Sequence, residues 1–278
     1  MELSSSDLEK LRQIAKKAAL KAGQHVIACF GTDFKIGSKN KGGSLAADVV
    51  TEVDIKSQEI IHASLQESIK KYDLGWLGEE SEDDKSRLVK DYFWTVDPID
   101  GTLPFTKKSP GFAVAIGLVS KQGDAVVGVA YDPYHNDLYD AVKGGKVYKN
   151  EKLFSIEYNK NKGLTFYSDL SFLSSGALPY LIKSLEEKSL EKYNKPLEVI
   201  THQGAVMNAM CVLQNAPAVY IKPHRDKLGG GCAWDFAASA CIAEAMGCTP
   251  TDYFGNKINL NKEENTYMNN EGIKYEIW

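Results

Sequence analysis

The sequence predicts a layered α/β or α+β protein, and three observations carry that expectation. Amphipathic helical patterns open the chain. A series of short apolar, β-prone runs separated by turn residues fills its middle. Helices and strands then mix toward the C-terminus without strict βαβα alternation. The chain has 278 residues, 43% hydrophobic and 25% charged. That composition excludes a collagen-like or mainly disordered protein, and the length allows one large domain or two closely packed ones.

The elements are expected in this order. Ser6-Asp7-Leu8-Glu9 is a capping-box pattern, and Leu8, Leu11, Ile14, Ala15, Ala18 and Ala22 follow at helical spacing. Gly23 costs about 1 kcal/mol against Ala in a helix interior, so it marks a place where the helix could end or distort. Residues 35–47 read as a mobile basic loop. A second helix is expected from Asp54 as N-cap, with Ile55, Ile61, Leu65 and Ile69 turned inward. Phe93 to Val96 is a strand that Asp97-Pro98 should end. Phe112–Val119, Ala125–Tyr131, Leu138–Val142 and Lys146–Tyr148 form a meander, with Gly144-Gly145 at a turn. Residues 156–163 are a polar connection. Beyond it come a strand at Leu164–Tyr167, a charged helix at 178–193, a strand at Leu197–Ile200, a helix at Ala205–Leu213 and a strand at Ala218–Ile221. A last helix, Asp235–Met246, closes on Gly247.

Charge and cysteine usage narrow the function classes. Lys+Arg number 33 against 37 Asp+Glu, a formal net charge of −4 with no long basic run, which argues against nucleic-acid partners. No apolar run approaches the roughly 18–20 residues of a membrane span, and the first residues lack a secretory pattern. Cys29, Cys211, Cys232, Cys241 and Cys248 are odd in number and contain no CxxC. Reduced thiols in a cytoplasmic protein are therefore expected, not a disulfide framework or a structural zinc site. The five histidines are scattered, without ligand spacing.

The chemistry is concentrated in Gly78-Glu79-Glu80-Ser81 and, fifteen residues later, Asp97-Pro98-Ile99-Asp100-Gly101-Thr102. Pro98 cannot donate to a ladder. A helix opening near Gly101 or Thr102 would aim free N–H groups at whatever lies beside Asp97 and Asp100, and such amides suit a phosphate oxygen. Carboxylates suit hard cations such as Mg²⁺. Together they suit metal-assisted phosphoryl transfer to water. Taken alone, the same residues read as a surface turn with capping aspartates. Four acidic islands taken together point to a site: Asp48/Asp54, Glu79/Glu80, Asp97/Asp100 and Asp235. Asp235 opens an Ala-rich helix, where a cap role and a ligand role can coexist.

Gly78-Glu-Glu-Ser, Trp94-Thr-Val-Asp-Pro-Ile-Asp-Gly-Thr102 and Ala233-Trp-Asp-Phe-Ala-Ala with a following Glu-Ala-Met-Gly resemble the inositol monophosphatase family. Those are Mg²⁺-dependent, lithium-sensitive phosphatases, in the superfamily of the fructose-1,6-bisphosphatases and 3′(2′),5′-bisphosphate nucleotidases. Asp48-Val-Val-Thr-Glu-Val-Asp54 and Gly128-Val-Ala-Tyr-Asp-Pro-Tyr134 match in the right order, and the resemblance spans about residues 8–260. It implies an α-β-α-β-α sandwich. An N-terminal lobe at 1–150 would hold a largely antiparallel sheet and most metal ligands. A C-terminal lobe at 151–278 would hold a second sheet, Asp235 and the specificity elements, with the site between them. It also implies a homodimer and two or three Mg²⁺ ions.

Residue by residue, the resemblance puts Glu79, Asp97 and the Ile99 carbonyl on the first ion and Asp97, Asp100 and Asp235 on the second, with Glu79 also on a weaker third. Asp54 with Thr102 would activate the attacking water, beside Glu79. The Gly101 and Thr102 amides would hold the phosphate, bordered by Asp100 and Asp235. The implied substrate is a small polyol phosphate, inositol monophosphate first and 3′-phosphoadenosine 5′-phosphate second. A non-catalytic binding protein is disfavoured, because every one of these side chains is present.

Three departures touch specificity. Leu103-Pro104-Phe105 replaces the Thr-Asn-Phe of inositol-handling members. The stretch from Lys222 to Ala233 is longer than usual, and the acidic residue that contacts inositol hydroxyls has no clear counterpart, Asp226 being the candidate. The segment from Thr165 to Ser171 matches neither the inositol nor the nucleotide members. Lys39–Lys41 or Lys107-Lys108 would serve an extra phosphate, or simply form a solvated edge.

Overall fold

A computed structural model describes residues 2–33, 35–38, 49–169, 172, 175–224, 231–268 and 271–278. Asp48, Lys39–Lys41, Asp226 and most of the expected basic loop lie outside the described residues.

Helix α1 (Ser5–Cys29) starts two residues before the anticipated box. Ser4 is its N-cap and Asp7 completes the capping pair, the Asp7 amide donating to the Ser4 hydroxyl at 3.2 Å. Gly23 does not end it. A Cβ there would collide with the Tyr131 ring, so the glycine marks close packing of α1 on the sheet. Strands β1 (Ile36–Ser38) and β2 (Val49–Thr51) pair antiparallel and lead into α2 (Glu52–Tyr72). The N-cap of α2 is Thr51, and Asp54 stands at the third helical position. The inward face of α2 runs through Asp54, Gln58, Ile61, Leu65 and Ser68. Ile55, one residue off that face, is exposed, against expectation.

Next come β3 (Gly75–Gly78), the short α3 (Ser86–Val89), β4 (Tyr92–Asp100), the short α4 (Thr102–Thr106), β5 (Ala113–Ser120), β6 (Ala125–Asp132), β7 (Asp137–Val142), β8 (Val147–Lys149) and β9 (Lys152–Leu153). Seven strands form one sheet in sequence order, antiparallel except for the parallel β3–β4 pair. Strand β4 does not stop at Pro98. Asp97 pairs with Ala115 and Asp100 with Ala113, so the strand carries an extra residue between them. Such a bulge tolerates a residue with no N–H to donate, and it re-aims the side chains around it.

The remainder is β10 (Thr165–Tyr167), α5 (Leu178–Tyr193), β11 (Glu198–Ile200), α6 (Ala205–Gln214), β12 (Ala218–Lys222), α7 (Ala233–Ala245) and β13 (Ile273–Ile277). The second sheet has the order β11-β10-β12-β13, with β13 its antiparallel member.

Burial resolves these elements into five layers. Trp94, Val96, Val114, Ile116, Leu118, Val127 and Val129 pack against α1 and α2. The opposite face of the same strands is lined by small residues, Ala113, Ala115, Ala130 and Ala141, and meets α6 and α7. Beyond those helices lies the inner face of the second sheet, with Tyr220 and Tyr275. Its outer face, Phe166, Val219 and Ile221, is covered by Leu178 and Leu185 of α5. This is the α-β-α-β-α sandwich expected from the resemblance. The small-residue face has a positional consequence. Gly117 and Gly128 are register partners, and a Cβ on either would come within 2.7 Å of the Ala237 Cβ or 2.8 Å of the Cys241 Cβ. Helix α7 therefore lies directly on sheet backbone, and its first turn reaches the end of β4.

Candidate active site

The site begins with the cap of α2. The Thr51 hydroxyl accepts the amides of Val53 and Asp54, at 3.2 and 3.3 Å. Asp54 reaches back to the Thr51 amide at 2.9 Å and to its hydroxyl. This reciprocal box satisfies the free donors of the helix start and locks a fully buried carboxylate in place. Its other oxygen, Oδ1, accepts from the Thr102 hydroxyl at 3.2 Å, and Thr102 Oγ1 lies 3.1 Å from the Ile99 carbonyl. One hydroxyl proton can serve only one of these acceptors at a time. One turn further along α2, Gln58 Oε1 accepts the Glu80 amide at 2.8 Å, and the Glu79 amide donates to the Val96 carbonyl at 3.1 Å. Helix α2 thus fixes both Asp54 and the turn that carries Glu79.

The bulge of β4 supplies the next pair. Asp97 Oδ1 accepts the Ile99 amide at 3.0 Å. Gly101 caps α4 with φ of +84°, a left-handed conformation that suits glycine, and a Cβ there would sit 2.8 Å from the Gly111 carbonyl. Asp100 crosses to the second half of the chain. Its two oxygens accept the amides of Ala205 and Val206, at 3.1 and 2.8 Å, in the first turn of α6. A carboxylate there satisfies orphan helix donors and complements the helix dipole. Asp235 is at the third position of α7, not its N-cap. Cys232 is the cap, and the Asp235 carboxylate accepts the Cys232 amide.

Asp97, Asp100 and Asp235 each offer an oxygen within 4.8 Å of the others. Burial, then the charges of Glu79, Asp100 and Asp235, push the Asp97 carboxyl well above the usual carboxylate range. Asp100 is pushed well up by burial and by Asp235, against the opposing pull of its two backbone amides. Burial raises Asp235 to about 6, with Lys222 opposing and Glu79 adding to the rise. Like charges this close, out of water, disfavour ionisation unless a cation joins them. An all-oxygen, all-carboxylate donor set fits a hard divalent ion. Cys232 does not compete as a ligand or nucleophile, since burial raises its thiol pKa far above neutrality.

Of the residues singled out in the sequence, Asp97, Asp100 and Asp235 converge, Glu79 stands within their field, and Asp54 joins Thr102, Ile99 and Gly101 beside them. Asp48 and Asp226 lie outside the described residues. A second group adjoins the cluster that sequence reasoning did not name. Asp169 accepts from the Tyr220 hydroxyl at 2.8 Å and from Asn208 Nδ2 at 3.1 Å, and pairs with Lys222 Nζ at 2.6 Å. The signal that could have found it is a lysine closing the otherwise apolar strand Ala218–Ile221.

The chain is similar in sequence and fold to known proteins. The model of the inositol monophosphatase family matches residues 7–276. Inositol monophosphatase 1 of Xenopus laevis is 32% identical over 254 residues, covering 89% of this chain and 84% of that protein. Inositol-1-monophosphatase of Bacillus subtilis (strain 168) is 24% identical, covering 97% and 95%. Among solved structures, CysQ of Bacteroides thetaiotaomicron superposes with a TM-score of 0.72 at 26% identity, covering 96% of each chain. The suhB protein of Bartonella henselae superposes with a TM-score of 0.74 at 23% identity, covering 95% of this chain and 93% of that one. With its acidic cluster and five-layered fold, the chain belongs to the inositol monophosphatase family of phosphoric monoester hydrolases.

Proposed function

We propose that this protein is a Mg²⁺-dependent phosphomonoesterase acting on a small polyol phosphate, inositol monophosphate being the best candidate. The observation that carries the reading is the group Asp97, Asp100 and Asp235, carboxylates packed together beside the hydrogen-bonded Asp54–Thr102 pair. Glu79, Asp97 and the Ile99 carbonyl would hold one ion, and Asp97, Asp100 and Asp235 a second. Glu79 would also touch a third. When bound, the ions supply Lewis-acid stabilisation of the oxygens that gain charge during phosphoryl transfer. The protein's own groups do the rest. The Thr102 hydroxyl accepts from the attacking water and donates to Asp54 Oδ1, and Asp54 provides the general base. The Gly101 and Thr102 amides orient the phosphate, as free N–H groups at a turn into a helix do. By the same family likeness the chain divides into lobes at 1–150 and 151–278, forms a homodimer, works in the cytoplasm and is inhibited by lithium.

A phosphate-release panel tests this reading. Inositol 1-phosphate, 3′-phosphoadenosine 5′-phosphate and fructose 1,6-bisphosphate are each offered with Mg²⁺ and with excess chelator. Release from inositol phosphate that requires Mg²⁺ is the expected outcome. Faster release from the bisphosphate nucleotide would replace the substrate, and no release from any ester would favour a binding protein on the same fold.

A further inference from the structure

We propose that Asp169 and Lys222 form the hydroxyl-reading wall of this site, an acceptor–donor pair that takes one hydroxyl of a polyol phosphate. This rests on the phosphatase reading above and adds the residues that select the substrate.

Topology puts the pair there. Strands β10, β11 and β12 are parallel, so their carboxyl ends share one edge, where ligands of such sheets bind. Asp169 stands two residues beyond the end of β10, and Lys222 is the last residue of β12. Helix α6, which follows β11, holds Asp100 with its first amides. Gly204, the N-cap of α6, also packs on Gly101, where a Cβ would fall 3.3 Å from the Gly204 Cα, so the edge abuts both the acidic cluster and the Gly101 turn. A substrate whose phosphate occupies the Gly101 and Thr102 amides would have its body within reach of this edge.

The pair is built as well as placed. Asp169 takes two hydrogen bonds on Oδ1, from Tyr220 and Asn208, and Lys222 on Oδ2. The Lys222 ammonium lies 5.5 Å from the centroid of the Phe236 ring, next in sequence to Asp235. A Cβ on Gly231 would fall 3.0 Å from that nitrogen, so the glycine leaves it room. Both side chains keep a small open face, 12% for Lys222 and 15% for Asp169. An ammonium has three donors and one is used on Asp169. A carboxylate has about four acceptor positions, of which three are taken. Asn208 Oδ1, in the same network, is buried and accepts no hydrogen bond among the described residues.

Charge decides what such a pair reads. Lys222 stands in the field of Asp169, Asp235 and Asp100: one cation among three carboxylates. With divalent ions balancing the metal carboxylates, Lys222 and Asp169 cancel, so no positive surplus remains to attract a second phosphate. A phosphate dianion can only accept, and Asp169 would repel it. A hydroxyl both accepts from the ammonium and donates to Asp169 Oδ2, satisfying both open positions.

The test uses Lys222→Met, Asp169→Asn and Lys222→Arg. For each, kcat and KM are measured with Mg²⁺ on inositol 1-phosphate, on p-nitrophenyl phosphate, which has no hydroxyl, and on propane-1,3-diyl bisphosphate, which has two phosphates and no hydroxyl. The expected result is that the kcat/KM ratio of inositol 1-phosphate to p-nitrophenyl phosphate falls about 10–100-fold in Lys222→Met and Asp169→Asn. The loss appears mainly in KM, and Lys222→Arg recovers part of it. A purely structural ion pair would lower both substrates equally and leave the ratio unmoved, overturning the assignment. A selective loss on the bisphosphate would overturn it too, by making Lys222 a reader of a second phosphate. If the wild-type protein hydrolyses none of the three esters, the phosphatase reading fails and takes this inference with it. If it hydrolyses them and the ratios hold, only this inference fails.

Discussion

Two groups of buried carboxylates in this fold meet opposite fates. On β7, Asp140 is fully buried, and α1 brings Arg12 and Lys16 to it, with Lys16 Nζ at 3.5 Å from Asp140 and 2.6 Å from Glu151. Arg12 also bonds Glu9 and lies over the Tyr148 ring. Anions and cations alternate there, and the chain neutralises itself. At the end of β4, Asp97, Asp100 and Asp235 face one another instead, with Glu79 adding negative charge and the lysine in their field, Lys222, paired to Asp169. Backbone amides of Ile99, Ala205, Val206 and Cys232 hold those side chains in position without cancelling their charge. The first group is a structural lock whose charges balance within the protein. The second keeps an excess of negative charge and could hold a metal ion. A buried carboxylate is thus informative only with its counter-charges counted.

The contrast can be broken or sharpened by substitution, starting with the largest effect. Asp54→Asn and Thr102→Ala should each lower kcat about 10²–10⁴-fold, the scale of general-base catalysis, with Mg²⁺ affinity nearly unchanged. Asparagine keeps an acceptor for the Thr51 amide, so calorimetric melting of Asp54→Asn should shift little. A variant that melts early yet turns over normally would assign Asp54 to capping alone. The balanced group should respond in the opposite sense. Asp140→Asn leaves Arg12 and Lys16 buried without their shared partner and should cost about 3–5 kcal/mol in denaturant unfolding, with no change in Mg²⁺ titration. Saturating Mg²⁺ should stabilise the wild-type protein by about 2.7 kcal/mol at 100 times its dissociation constant, read as a higher melting temperature.

The smallest effect is in pH. Asp97, Asp100 and Asp235 have raised folded-state values, so the folded state binds more protons than the unfolded chain above pH 4. Their contribution is fully present below the unfolded carboxylate value and is lost as pH rises through the folded ones, near 6 for Asp235. Metal-free protein should therefore melt progressively lower as pH rises from about 4 toward 7. The gain from Mg²⁺ should grow over the same range, and a melting temperature indifferent to pH in chelator would contradict it.

Much of this was legible in the sequence. The meander from Phe112 to Tyr148 announces itself by apolar runs with turn residues between them, and β5 to β8 fall close to those runs. Of the acidic motifs read as one group, Asp97, Asp100 and Asp235 are brought together by the fold. What was not legible depends on partners distant in the chain. Strand β3 is not among the expected elements: Gly75 and Gly78 bracket only Trp76 and Leu77, and its parallel pairing with β4 has no local signature. Strand β13 mixes Lys274 and Glu276 with apolar residues, and its strand character comes from antiparallel pairing with β12. Pro98 suggested a strand end because the bulge that accommodates it is set by the register with β5. The Asp169–Lys222 pair is 53 residues apart in sequence and joined only by the parallel arrangement of β10 and β12.

The central claim, that the β4 cluster is completed by divalent cations, is tested most directly by the melting temperatures of the wild-type protein and Asp97→Asn near pH 7.5, in chelator and in Mg²⁺. Removing one of the mutually repelling charges should make Asp97→Asn more stable than the wild type in chelator, and less responsive than the wild type to Mg²⁺. If Asp97→Asn instead melts lower in chelator and Mg²⁺ shifts neither protein, the cluster is an ordinary set of hydrogen-bonded carboxylates and the account is wrong.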